Sequence, residues 1–206
     1  MATSGIQIPV VFRSGGGNVI SSYDWYDTGL GAGYKRFYPA SYINGASTQV
    51  YFMTSKLIDG DNGATGLAGN NNVTEVNFDI TFQNPMVVAA GTAIINFTVY
   101  SAGAVNKTVD FTLYHVDASA VETSIGTVQS SNANGAGAYR KLVSITTTQK
   151  AFAIGEKLRL ECIFTVGAGA ATLYFDPLGR QTYTEAGTGV TIGTDMIADM
   201  PFRIDL

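Results

Sequence analysis

The chain has 206 residues, of which 46% are hydrophobic and only 14% charged, with a formal net charge of -4. These totals exclude disorder, which needs low hydrophobicity and high net charge, and the 12 thinly spread Lys and Arg leave no basic footprint for nucleic acid. The single cysteine, Cys162, rules out an internal disulfide, and no stretch approaches the roughly 20 apolar residues of a membrane helix.

Met1 to Pro9 lacks the basic start and apolar run of a secretory signal, so a cytosolic site of synthesis is expected. Ile6 to Phe12 predicts one short strand, broken by Pro9 in the manner of an edge or bulge. Ser14-Gly15-Gly16-Gly17-Asn18 makes a joint, and residues 19–46 alternate only weakly between glycines. They read as an extended arm with local turns, crowded with Tyr23, Trp25, Tyr26, Tyr34, Phe37, Tyr38 and Tyr42. The predicted division is therefore an N-terminal arm over 1–46 and a β body over 47–206.

In the body, apolar and polar residues alternate with the period of half-buried strands. Thr48–Leu57 places Val50 and Phe52 on one face, and the Gly-, Asp- and Asn-rich stretch 58–72 predicts a loop. Val73–Phe82 turns Val76, Phe78, Ile80 and Phe82 inward and Glu75, Asn77, Asp79 and Thr81 outward. After Asn84-Pro85, Val87–Tyr100 predicts a long strand or a bent pair, with Ile95, Phe97 and Val99 on one face. Thr108–Val116 points Val109, Phe111 and Leu113 inward, with His115 on the same parity. Ala120–Val128 and Lys141–Thr148 flank a Ser/Asn/Gly/Ala loop at 129–138; Glu156–Val166, Thr172–Asp176 and Met200–Ile204 complete the set. Residues 149–155 and 193–199 hold at most one helical turn each. Eight or nine strands with turns between them predict an all-β protein, and their length favours a β-sandwich of the jelly-roll kind over an immunoglobulin sandwich.

Candidate chemistry is sparse. His115 as a general base needs an orienting carboxylate and a nucleophile, and Asp117 is the only carboxylate close in sequence. Cys162 stands in phase with Leu158, Leu160 and Phe164 and reads as a buried hydrophobe. Asp59-Gly60-Asp61-Asn62-Gly63 offers Asp59 and Asp61 to a cation, but Gly63 and Asn70 stand where a helix-loop-helix calcium loop needs ligands; a solvated turn is the plainer reading. Paired carboxylates across a cleft could make a glycosidase, and Asp24 and Asp27 bracket Trp25-Tyr26 in a way that also suits sugar stacking, but the segment looks like an arm, too loose for catalysis. Asp176-Pro177-Leu178-Gly179-Arg180 reads as a turn in which Gly179 takes a positive φ, in preference to a display of Arg180. The arm's rings suit contact between chains, self-packing or the stacking of glycans. No cofactor is expected.

The segment from Ile8 to Tyr38, with Tyr23-Asp24-Trp25 and Gly33-Tyr34-Lys35-Arg36-Phe37-Tyr38, resembles the opening of β-sandwich virion structural proteins of tailed bacteriophages and related viruses. "FTLYHVDASAVETSIGTV" and "KLRLECIFTVGAGAATLYFDPLGR" resemble the body of the same group. The resemblance implies a non-enzymatic capsid-decoration, cement or fibre component, assembled in a host cytoplasm and located on the virion. It implies partners among other copies of itself, a trimer for instance, and major capsid or other virion proteins, without nucleic acid or membrane. Tyr23, Trp25, Tyr26, Tyr34, Phe37 and Tyr38 would be the interface anchors. The alternative is a carbohydrate-binding module or receptor-binding fibre tip with glycan as its partner.

Overall fold

The computed structural model describes residues 32–43, 48–56 and 65–203, and every regular element among them is a β-strand. In chain order these are β1 (Ala32–Ile43), β2 (Gln49–Thr54), β3 (Gly66–Asn70), β4 (Val73–Thr81), β5 (Met86–Val88), β6 (Gly91–Val105), β7 (Lys107–Val116) and β8 (Glu122–Asn132). There follow β9 (Gly135–Thr147), β10 (Lys150–Phe152), β11 (Lys157–Val166), β12 (Ala170–Tyr174), β13 (Thr182–Thr184), β14 (Thr191–Gly193) and β15 (Ile197–Arg203).

Thirteen of them form one sheet in the order β10-β5-β15-β1-β2-β4-β11-β7-β8-β9-β6-β12-β3, and β13 pairs with β14 as a separate hairpin. A further pairing of β15 with β6 brings the ladder back on itself. Two links in this ring are thin: β2 meets β4 only at Phe52 and Asp79, and β8 meets β9 only at Gly126 and Thr147. Gly126 is required there because a Cβ would stand 2.6 Å from Ile145 Cγ2.

Period-two patterning makes the core. On β11, Leu158, Leu160, Cys162 and Phe164 are wholly buried, while the residues between them are half-exposed. Val76, Phe78 and Phe82 line the inner side of β4 and the following turn, and Ile95, Phe97 and Val99 do so on β6. The rings interlock edge to face: Phe97 on Phe111 at 5.1 Å, Phe78 on Phe175 at 5.2 Å and Phe82 on Phe152 at 5.0 Å. Such pairs add to the area term that drives burial.

Five segments differ from the sequence-based expectation. Residues 32–43, expected within the arm, form a strand held by β15 over its first half and by β2 over its second. Its weak hydrophobic alternation arises because the outward face carries Tyr34 and Tyr42 where a polar residue would mark the period. The expected loop 58–72 contains β3, whose small residues Gly66 and Gly69 leave no room for a Cβ beside Thr172 and Val166. The expected loop 129–138 is mostly ladder, since β8 runs to Asn132 opposite Thr108 and β9 starts at Gly135. Around 149–155 and 193–199 there is no helix but β10, β14 and the start of β15. Backbone pairing overrides polar or small composition at all of these places. The predicted strand Ile6 to Phe12 lies outside the described residues.

Candidate functional site

Alternation along β7 puts His115 on the inner parity, where it is 5% exposed. Across β11 it faces Leu158, and the turn before β11 brings Glu156 beneath it. His115 Nε2 lies 2.8 Å from Glu156 Oε2, which also accepts the amide of Ala153 at 2.7 Å. Phe152 meets the imidazole edge-on at 4.9 Å. The hydrogen bond from His115, then that from Ala153, holds the Glu156 carboxyl below its ordinary range. An ionised carboxylate accepts only, so Nε2 donates to it, and Nδ1 is buried with no hydrogen-bond partner among the described residues.

A carboxylate-oriented imidazole is two-thirds of a hydrolytic triad. The third part is missing among the described residues, because no hydroxyl or thiol hydrogen-bonds Nδ1. Cys162 pairs with Phe111, four residues along β7 from His115, and burial pushes its thiol up and keeps it protonated. Glu156, 41 residues away in sequence, is the partner that sequence reasoning missed in favour of Asp117. The signal that could have found it is the antiparallel return of β11 along β7, which brings the residue before β11 to the end of β7. Asp117 instead closes its own turn, its Oδ1 accepting the amides of Ser119 and Val121 at 2.8 Å.

A second constellation lies where the β13–β14 hairpin meets β6, β9 and β12. Tyr183 stacks on Tyr100 at 4.6 Å with 21° between the rings, and its hydroxyl is 2.6 Å from that of Tyr174. Burial, then the hydrogen bond to Tyr183, pushes the Tyr174 phenol up. Tyr183 donates onward to Gln181 Oε1 at 3.3 Å. Arg140 fixes the hairpin, giving Nη2 to Asp195 Oδ2 at 2.8 Å and Nη1 to the Asp195 carbonyl at 2.7 Å, while its amide donates to Glu185 Oε1 at 3.1 Å. Tyr100 and Tyr183 are half-buried and Tyr174 is buried behind them, so the two outer rings offer a ligand a flat apolar face and a hydrogen-bonding edge.

The Asp-Pro turn forms as expected, with Gly179 at φ 57°. Arg180 folds back on Asp176, whose carboxylate is 1% exposed and accepts the Arg180 amide at 2.7 Å and its Nε at 3.0 Å. Of the anticipated anchors, Phe37 is a core residue at 1% exposure, Tyr34 is 54% exposed and Tyr38 is half-buried on β1. Tyr23, Trp25, Tyr26, Asp59 and Asp61 lie outside the described residues. Among the described residues no three His, Cys, Asp or Glu side chains come together to hold a metal.

No family model matches the chain, and no curated protein matches it. Its fold recurs in solved structures. An aminopeptidase from a marine-sediment Thaumarchaeota archaeon shares it with a TM-score of 0.53 and 6% identity, over 84% of this chain and 37% of that one. A CocE/NonD family hydrolase from Staphylococcus aureus matches with a TM-score of 0.53 and 9% identity, over 85% of this chain and 37% of that one. An α-amino acid ester hydrolase matches with a TM-score of 0.53 and 10% identity, over 82% of this chain and 36% of that one. At such identity the likeness is one of fold, and this chain spans little more than a third of those proteins. These neighbours are hydrolases and none of them is a virion component, which corrects the expectation of a non-enzymatic virion structural protein or fibre tip.

Proposed function

We propose that this chain works as the β unit of a hydrolytic enzyme of the ester- and amide-cleaving class, holding substrate beside the reacting groups. The observation that carries the reading is that more than four-fifths of this chain corresponds to little over a third of each of three hydrolases. Every described element being a strand, the matched part is a β unit of those enzymes. The incomplete triad at His115 agrees with a division of labour in which the nucleophile stands elsewhere. We read the ring of strands, thin at Phe52–Asp79 and Gly126–Thr147, as a two-layer sandwich of jelly-roll type, with those links as its seams. The Tyr100, Tyr174 and Tyr183 group is the substrate-holding surface.

Thermal unfolding of the full-length protein in rising concentrations of phenylalanine methyl ester tests this. Saturable binding raises the Tm, by roughly 5–10 °C at ligand a hundredfold above its Kd, a gain of about 2.7 kcal/mol. Tyr183→Ala removes the response while the protein still unfolds in one cooperative transition, its ligand-free Tm lowered by the lost ring stack. A Tm indifferent to the ester overturns the reading, and so does ester turnover that is lost in His115→Gln, which would put the base inside this unit.

A further inference from the structure

The β13–β14 hairpin shares no ladder with the large sheet beyond the single bridge of Glu185 to Ala138, so side chains do much to hold it in place. Two of them are phenols from different elements. Tyr100 of β6 and Tyr183 of β13 stack with ring centres 4.6 Å apart and planes 21° apart. Both are half-buried, so a small solute reaches them. Other tyrosines have other company: Tyr51 meets Phe78 and Phe175, Tyr42 meets Phe52, and Tyr139 faces Lys107 and Lys141. Tyr174 is a further phenol beside Tyr183, but its ring is tilted by 34° at 5.6 Å and only 9% exposed. Burial, then the hydrogen bond to Tyr183, raises its pKa, so it releases its proton less readily.

Two phenols held face to face are the reactants of oxidative coupling. In a biaryl the ring centres stand one bond and two ring radii apart, nearly the separation this stack already holds, so coupling asks the rings to tilt and slide without moving the backbone. Reactants held in contact react far faster than those that must meet by diffusion, which favours the link within one chain over a link between chains. A phenol that loses an electron becomes a strong acid, and the Tyr183 hydroxyl has an exit for its proton at Gln181 Oε1, 3.3 Å away on the exposed edge. We propose that Tyr100 and Tyr183 form an oxidative cross-linking site, where a peroxide converts the pair to o,o′-dityrosine and staples the hairpin to β6. Each phenol gives up one electron and its hydroxyl proton, and the two radicals join through ring carbons ortho to oxygen. The hydrogens on those carbons then shift to the oxygens and restore both phenols. On balance one C–C bond forms, each ring loses one C–H bond, and the two electrons cleave the O–O bond of the peroxide. The site needs only the ring pair, so it stands apart from the substrate-holding reading and its test involves no ester.

Brief illumination of the full-length protein with tris(bipyridine)ruthenium and persulfate, at low micromolar concentration, supplies the one-electron steps. The expected product runs as one chain of 21.7 kDa on a denaturing gel, is lighter by two hydrogens, and carries the blue fluorescence of dityrosine. Its digest contains a peptide pair joined from Tyr100 to Tyr183. Tyr100→Phe and Tyr183→Phe each keep a ring in the stack but lose that peptide pair, whereas Tyr174→Phe retains it. Because the link closes a long loop of the unfolded chain, the linked protein melts higher than the untreated one, by up to about 10 °C. Coupling confined to other tyrosines, coupling only between chains, or oxygen added to the rings without coupling overturns the inference. A 100–183 link that leaves the Tm unchanged also overturns it, since the hairpin is then not stapled by the bond.

Discussion

At the scale of single residues, the His115–Glu156 pair makes a testable claim about pH. The Glu156 carboxyl is held low by its bonds from His115 and Ala153, so the folded protein binds that proton less readily than the unfolded chain. The stability this confers is complete above the ordinary carboxylate range, about pH 4–5, and is lost as pH falls through the lowered folded value. Glu156→Gln is therefore expected to melt below wild type at neutral pH, with the gap closing on acidification. Paired thermal melts from neutral pH down to about pH 3 check this; a gap that persists unchanged at the acid end contradicts it. Lys107 shows the opposite use of burial. It is 0% exposed, and its Nζ donates to Ser101 Oγ and the Gly135 carbonyl, both at 2.6 Å, beneath the Tyr139 ring. Burial lowers its pKa, and the amine ties the bulge of β6 between Ser101 and Val105 to the start of β9. It stands on the inward parity of β7 with Val109 and Phe111, but one residue before the predicted strand Thr108–Val116, so the sequence reading did not reach it.

At the scale of elements, β1 is the strand whose role differs most from its sequence signature. Its two faces predict opposite mutational outcomes. Phe37→Ala opens a cavity in the core at a cost of about 3–5 kcal/mol, whereas Tyr34→Ala on the exposed face stays within about 0.5 kcal/mol. Urea unfolding at low protein concentration separates the two; equal midpoints for both variants would mean that β1 is peripheral. The strands with a hydrophobic face and a polar face, β4, β6, β7 and β11, were legible with their inward residues in the sequence, because period two needs no knowledge of the partner strand. Strands held by their neighbours were not. β3 has one buried leucine, Leu67, and β8 from Gln129 to Asn132 has polar side chains; their pairing energy comes from backbone ladders with β12 and β7. The candidate site follows the same division: His115 could be singled out as a lone imidazole, but its carboxylate could not, because the ladder that joins them is non-local.

At the scale of the whole molecule, all-β class is written in the alternation and the scarcity of helical period, whereas the closure of the ladder is not. Closure depends on β15, which pairs with β1 at Ala32–Phe37, with β5 at Val87 and Val88, and with β6 at Ile94–Asn96. Its own inward residues, Ala198 at 0% and Met200 at 1% exposure, fill the core between these partners. In a ring of strands, removing one member leaves two long unpaired edges and an open core, so the loss cannot stay local. Deleting residues 197–206 is therefore expected to abolish the single cooperative unfolding transition, with dispersed amide signals in the proton–nitrogen NMR spectrum collapsing across β1, β5 and β6 together. Deleting the β13–β14 hairpin, residues 182–193, is expected to leave that transition in place, since the hairpin forms its own two-stranded sheet and lies outside the ring. A C-terminally shortened chain that still melts in one sharp step would show that the ladder holds without its closing strand, and that the run β4-β11-β7-β8 suffices to hold the core.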